Sequence, residues 1–178
     1  MKLLTGYASE HGSTREIAER IAARISSHGH AVDVRAMSGA QSLDDYDAVV
    51  LGSAVHNQKW LPQATGFVHR NLDALAARPV WLFSVGMPGA LRGPWQRLAM
   101  REEPMVIADF RDAVRPRDHR LFSGVVHRDD LPLAGRLVFR AMGCHYGDYR
   151  DWAQIDGWSD RVAAQLTAES EGTPAPSS

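Results

Sequence analysis

Short runs of aliphatic and β-branched residues alternate along this chain with longer stretches in which apolar positions recur every three or four residues. The first run, KLLTGYA (2–8), predicts a strand. The stretch behind it places Ile17, Ile21 and Ile25 on one helical face, with Glu16, Glu19, Arg20 and Arg24 around the others. A second strand is predicted over AVDVRA (31–36), entered through the turn residues His28, Gly29 and His30. YDAVVLGSA (46–54) is continuously apolar at its centre, as expected of a strand covered on both faces. A helix follows over 61–77, then a fourth strand over PVWLFSVG (79–86) and a fifth over RLFSGVV (120–126). The last helix is predicted over 152–167, and ESEGTPAPSS (169–178) has the composition of a disordered tail.

Strands alternating with helices imply right-handed crossovers and a parallel sheet. The expected fold is α/β and doubly wound: five parallel strands in the order 2-1-3-4-5, with helices on both faces. It forms one domain over 1–168, followed by the tail 169–178. In such a sheet, ligands bind beyond the carboxyl ends of strands one and three. Two connections, 87–119 and 127–151, exceed what a plain crossover needs, and insertions of this length in compact domains are commonly functional.

Composition narrows the function classes. An apolar fraction of 44% and a charged fraction of 23% over 178 residues describe an ordinary globular domain. No apolar run is long enough for a membrane-spanning helix, and the first residues lack the pattern of a signal peptide. The lone Cys144 excludes an internal disulfide and a cysteine metal cage, so a cytoplasmic location is the expectation. A net charge of −1 gives no reason to expect nucleic-acid binding. The eight histidines show no ligand spacing, so no metal site is expected.

The candidate chemistry sits at the corner after the first strand. SEHGST (9–14) brings the hydroxyls of Ser9, Ser13 and Thr14 to a helix N-terminus, where unpaired N–H groups and a partial positive charge favour an anion. Gly12 allows close approach of the backbone to a ligand. The alternative is that Ser13 or Thr14 caps the helix, with Glu16 completing a capping box.

Two further loops leave the sheet at the same end. In GSAVHNQKWLP (52–62), small residues permit close approach of backbone to a ring, the polar residues can donate to it, and Trp60 either stacks on it or packs in the core. SVGMPGALRGPW (84–95) is glycine-rich and suits a backbone-lined wall. Asp148 or Asp151 is expected to cap the last helix.

The corner, hydroxyl-x-x-Gly-x-hydroxyl after the first strand, resembles the FMN phosphate loop of the flavodoxin family, with Ser9, Gly12 and Thr14 filling the pattern. YASEHGSTREIAERIA, VVLGSAVHNQKWLP and GDYRDWAQIDGWSDRVA resemble, more narrowly, the flavodoxin-like, menaquinone-dependent protoporphyrinogen oxidases, over about residues 1 to 167. The resemblance implies a flavodoxin-like fold and FMN held by Ser9, Glu10, His11, Gly12, Ser13 and Thr14. It also implies contacts from Ser53, Ala54, Val55, His56, Asn57, Gln58, Lys59 and Trp60, and from Ser84, Val85, Gly86 and Met87. Chemistry would lie on FMN N5, with no catalytic protein side chain. Tyr149, Arg150 and Trp152 would approach the cofactor edge. The implied substrates are a porphyrinogen and a quinone, menaquinone, with Arg92, Trp95, Arg97 and Arg101 as a propionate-binding cluster or, alternatively, a solvated helix face.

Flavodoxins that shuttle single electrons are acidic and commonly place a Tyr over the flavin. This chain is nearly neutral, lacks that Tyr, and carries His56 and Lys59 rather than acids in the flavin-side loop, which favours two-electron chemistry. The segment 131–143 reads as a short helix packed on the domain or as a peripheral contact with the inner face of the cell membrane. Two other classes stay open: an electron-transfer protein, and an interaction module that uses the fold without flavin. A phospho-receiver is disfavoured, since Gly52 and Ser53 stand where its Asp is required.

Overall fold

The computed structural model describes residues 1–38, 42–87, 107–128, 136, 139–140 and 144–172. Five parallel strands form the sheet: β1 (Lys2–Ala8), β2 (Ala31–Ala36), β3 (Ala48–His56), β5 (Val80–Gly86) and β6 (Asp118–Ser123), in the order β2-β1-β3-β5-β6. The short β4 (Lys59–Trp60) folds back antiparallel on β3. Counting only the parallel strands, this is the expected 2-1-3-4-5 order.

Alternation along the central strands sends side chains into two cores, one on each face. Leu3, Val50, Trp81 and Phe83 meet α1 (Ser13–Ser26) and α5 (Trp152–Gly172). Leu4, Leu51 and Leu82 meet α2 (Pro62–Arg70), α3 (Leu72–Ala76) and α4 (Ala108–Val114). Helices therefore cover both faces, and β3 is buried from Ala48 through Ser53. Phe83, Phe122 and Trp158 pack edge to face between the sheet and α5.

Four predicted boundaries move for local reasons. The expected helix 61–77 is two helices: Asn71 breaks it, with φ −118° and its side-chain amide donating to the Phe67 carbonyl at 2.9 Å. The third strand runs on to His56 because the β3–β4 hairpin extends its pairing. The fifth strand ends at Ser123, and Val125–Val126 forms a separate β7 that pairs with β8 (Gly147–Asp148). Gly124 lies between the two strands, donates its N–H to the Gly86 carbonyl at 2.9 Å and packs closely, since a Cβ there would lie 2.8 Å from Val85 Cγ1 and 3.2 Å from Ser13 Oγ. The last helix continues to Gly172, so the segment read as a tail from 169 begins as helix. Residues 173–178 lie outside the described residues, as do 88–106 and most of 131–143.

Candidate functional site

The carboxyl ends of β1, β3 and β5 open into a cleft of about 260 Å³. The β1–α1 corner supplies Ser9, Glu10, His11, Ser13 and Thr14. Ala54, Val55, His56 and Asn57 form a second wall, and Val85, Gly86 and Met87 the floor. Gly124, Val125 and Val126 close the remaining side. These last three were not among the predicted site residues. The one sequence signal for them is the glycine inside RLFSGVV, which packs closely against Ser13 of the corner.

The corner is not capped by a side chain. Gly12 occupies the N-cap position of α1 with φ +92°, and no side-chain cap bond is made there, so the capping-box alternative is corrected. Glu16 turns its carboxylate to Arg150 instead. The helical ladder begins with Glu16 N–H donating to the Gly12 carbonyl at 3.1 Å, which leaves the N–H groups of Ser13, Thr14 and Arg15 without an intrahelical acceptor. Gly12 N–H donates to Ser9 Oγ at 3.0 Å, so the Ser9 hydroxyl keeps its own proton for a ligand. Thr14 is 0% exposed, and its Oγ1 is buried without a hydrogen-bond partner. An unpaired buried hydroxyl costs about 1–3 kcal/mol, and here it belongs to a cleft whose other donors converge. Hydroxyls, free amides and a helix N-terminus together fit a phosphate monoester dianion. The aliphatic walls of Val55, Val85, Val125 and Val126 fit a flat ring beside it.

Several expected contacts lie elsewhere. Trp60 is a core residue: its ring packs on Phe110 at 5.1 Å, and its Nε1 donates to Ser84 Oγ at 2.8 Å, so it does not stack in the cleft. The Ser84 hydroxyl meets His119 Nε2 at 2.8 Å, and burial pushes the His119 pKa down to about 4. Burial therefore favours the neutral imidazole, which shares this hydrogen bond with the Ser84 hydroxyl. Ser53 Oγ donates to the Ala54 carbonyl and accepts from Leu61 N–H, which anchors the hairpin rather than a ligand. Gly52 lies under Phe83, whose Cζ would be 1.9 Å from an added Cβ, so its smallness serves packing and not the approach of a ring. Gln58 and Lys59, both exposed, are outside the cleft lining.

The charges at the cleft mouth come from two loops. Glu10 faces His56 across the cleft mouth, with Oε2 3.1 Å from Nε2 and both side chains half exposed. An acid thus stands at the cleft mouth beside His56, and Lys59 is outside the cleft lining.

Of the segment before α5, Asp151 is the cap, accepting from Gln154 N–H at 3.0 Å. Tyr149 donates its hydroxyl to the His145 carbonyl at 2.8 Å and packs near Val126 and Phe139. Arg150 reaches toward the corner, and the half-exposed Trp152 lies beneath its guanidinium at 4.7 Å. Arg92, Trp95, Arg97 and Arg101 lie outside the described residues, so the structure does not bear on their role. Among the described residues there is no cluster of potential metal ligands, and no helix is long and apolar enough to cross a membrane.

A family model described as Flavodoxin domain matches residues 4–151. No curated protein matches the chain. Among solved structures, Flavodoxin 2 from Bacillus cereus superposes with a TM-score of 0.59 at 18% identity, over 95% of this chain and 99% of that one. A flavodoxin from the domain Archaea gives a TM-score of 0.55 at 17% identity, over 94% and 99%. The rubredoxin oxygen:oxidoreductase of Desulfovibrio gigas gives 0.61 at 16% identity over 94% of this chain, which spans only 36% of that larger protein. At these identities the likeness is one of fold.

Proposed function

Because the chain belongs to the flavodoxin-domain family, we propose that its cleft binds FMN and that it works as an oxidoreductase of the protoporphyrinogen-oxidase type, passing electrons to a quinone. The observation that carries the cofactor reading is the buried, unpartnered Thr14 hydroxyl at a helix N-terminus of free amides. Bound FMN supplies the redox chemistry. The chain's own residues bind and orient it. Ser9, Thr14 and the first amides of α1 hold the phosphate, and the valines of three elements keep water from the ring. His56 and Asn57, at the hairpin, are within the lining and can donate to the ring edge.

The enzyme reading is supported by the aliphatic walls of Val55, Val85, Val125 and Val126, which offer a flat ring apolar contact. The electron-carrier reading keeps one specific support, the carboxylate of Glu10 at the mouth, which opposes charge build-up on a reduced flavin.

The test has two arms. Ser9→Ala with Thr14→Ala should weaken FMN far more than riboflavin, by about 1.5–3 kcal/mol for each lost bond to a charged group. Equal weakening of both ligands would remove the phosphate assignment. Reconstituted protein should oxidise protoporphyrinogen IX when a menaquinone analogue is present, and Gln at Arg92, Arg97 and Arg101 together should raise KM without changing the flavin spectrum. Turnover no faster than free FMN would end the oxidase reading and leave flavin binding standing.

A further inference from the structure

Arg150 stands between two carboxylates at the flank of the phosphate corner. Its Nη1 donates to Glu16, on the first turn of α1. Its Nε and Nη2 donate to Asp148 of β8 at 2.9 and 2.6 Å. The guanidinium also lies over the Trp152 ring. Only 12% of the Arg150 side chain is exposed, whereas Glu16 and Asp148 are half exposed. The three charged groups line a hollow of about 290 Å³ together with His11, Ser13 and His127. His11 and Ser13 line the main cleft as well, so the ion cluster and the corner share a wall.

A carboxylate in the first turn is favourable to a helix with nothing bound at its N-terminus. It is unfavourable once a dianion binds there, because like charges at short range repel. Glu16 is placed in that conflict, one turn from Gly12. Asp148 adds a second negative charge in the same hollow.

Resting on the FMN reading above, we propose that Arg150 determines the phosphate specificity of this corner: by pairing with Glu16 and Asp148 it screens the like charge that would otherwise oppose a phosphate monoester. Its role is electrostatic and separate from the hydrogen bonds of Ser9 and Thr14. When the pairs are broken, the bared carboxylates of Glu16 and Asp148 penalise FMN, and Glu16 does so from the first turn of the helix that faces the phosphate.

The experiment compares FMN and riboflavin affinity at low salt, by flavin fluorescence quenching, for wild type, Arg150→Gln, Glu16→Gln and the double variant. Arg150→Gln should lose about tenfold or more in FMN affinity relative to riboflavin, equivalent to ~1.4 kcal/mol. Glu16→Gln alone should raise the FMN-to-riboflavin preference, and it does so without disturbing Asp148. The double variant should regain most of the preference lost in Arg150→Gln, and added KCl should narrow every difference. If the preference is unchanged in Glu16→Gln, or if Arg150→Gln weakens both ligands equally, Arg150 only braces β8 against α1 and the proposal is overturned. A wild type that prefers FMN in that case leaves the cofactor reading intact. A wild type with no preference for FMN overturns both.

Discussion

Thr14 concentrates the functional argument in one side chain. Its hydroxyl is buried without a protein partner, which is a cost to the fold. Thr14→Val keeps the shape and removes that cost. The melting temperature of the ligand-free protein should therefore hold or rise, while FMN affinity falls by roughly ten- to a hundredfold. Calorimetry of the free protein and a flavin titration check the two halves. A clear loss of stability in the free protein would mean that the hydroxyl has a partner there. The same opposition of stability and binding is common where a site is organised ahead of its ligand.

The β3–β4 hairpin is the element that carries His56 and Asn57 to the cleft. Its turn residues, Asn57 and Gln58, both have positive φ, at 49° and 62°. This is the twist that two-residue hairpins prefer, and Asn tolerates it, but Gln does not tolerate it well. The hairpin is held from below by Leu61 N–H on Ser53 Oγ and by the Trp60–Ser84 bond. Gln58→Gly should remove the strain and stabilise the protein by about 1 kcal/mol, a rise of ~2–4 °C in melting temperature for a chain of this size. FMN affinity should not change, because Gln58 lies outside the cleft lining. A loss of FMN affinity would show that the Gln58 side chain does reach the ligand.

Across the whole molecule, two features tie the layers together. On one face, α1 and α5 are joined by paired forks, Arg20 to Asp156 and Arg24 to Asp160. On the other, His119 links β6 through Ser84 of β5 to Trp60 of the hairpin. His119 makes global stability depend on pH. Its ordinary value is 6.5, and burial lowers it to about 4 in the fold. Below 6.5 the unfolded chain takes up a proton that the folded chain refuses, so unfolding is favoured. Stability from this group is complete above 6.5 and declines as pH falls toward about 4, by up to ~3 kcal/mol. His119→Gln should flatten that decline in urea unfolding curves between neutral and mildly acid pH. An equal slope in wild type and variant would place the acid sensitivity elsewhere.

Local periodicity was enough to determine the strands, the main helices and their order, since each element buries a face whose spacing is written in neighbouring residues. It also determined the corner: Ser9, Gly12 and Thr14 are close in sequence, and a strand-to-helix turn needs no distant partner to form. What each loop side chain touches was decided only by tertiary packing. Trp60, Ser53 and Ser84 could serve a ring or a core on their chemistry alone, and the position of Phe110, Leu61 and His119 turned them inward. Gly124 read as part of a strand, and only the tertiary structure showed its close approach to Val85 and Ser13, with Val125 and Val126 brought to the cleft beside it. The pairing of Arg150 with Glu16 joins residues 134 positions apart. No sequence window spans such a contact, because it exists only where β8 is laid against the start of α1.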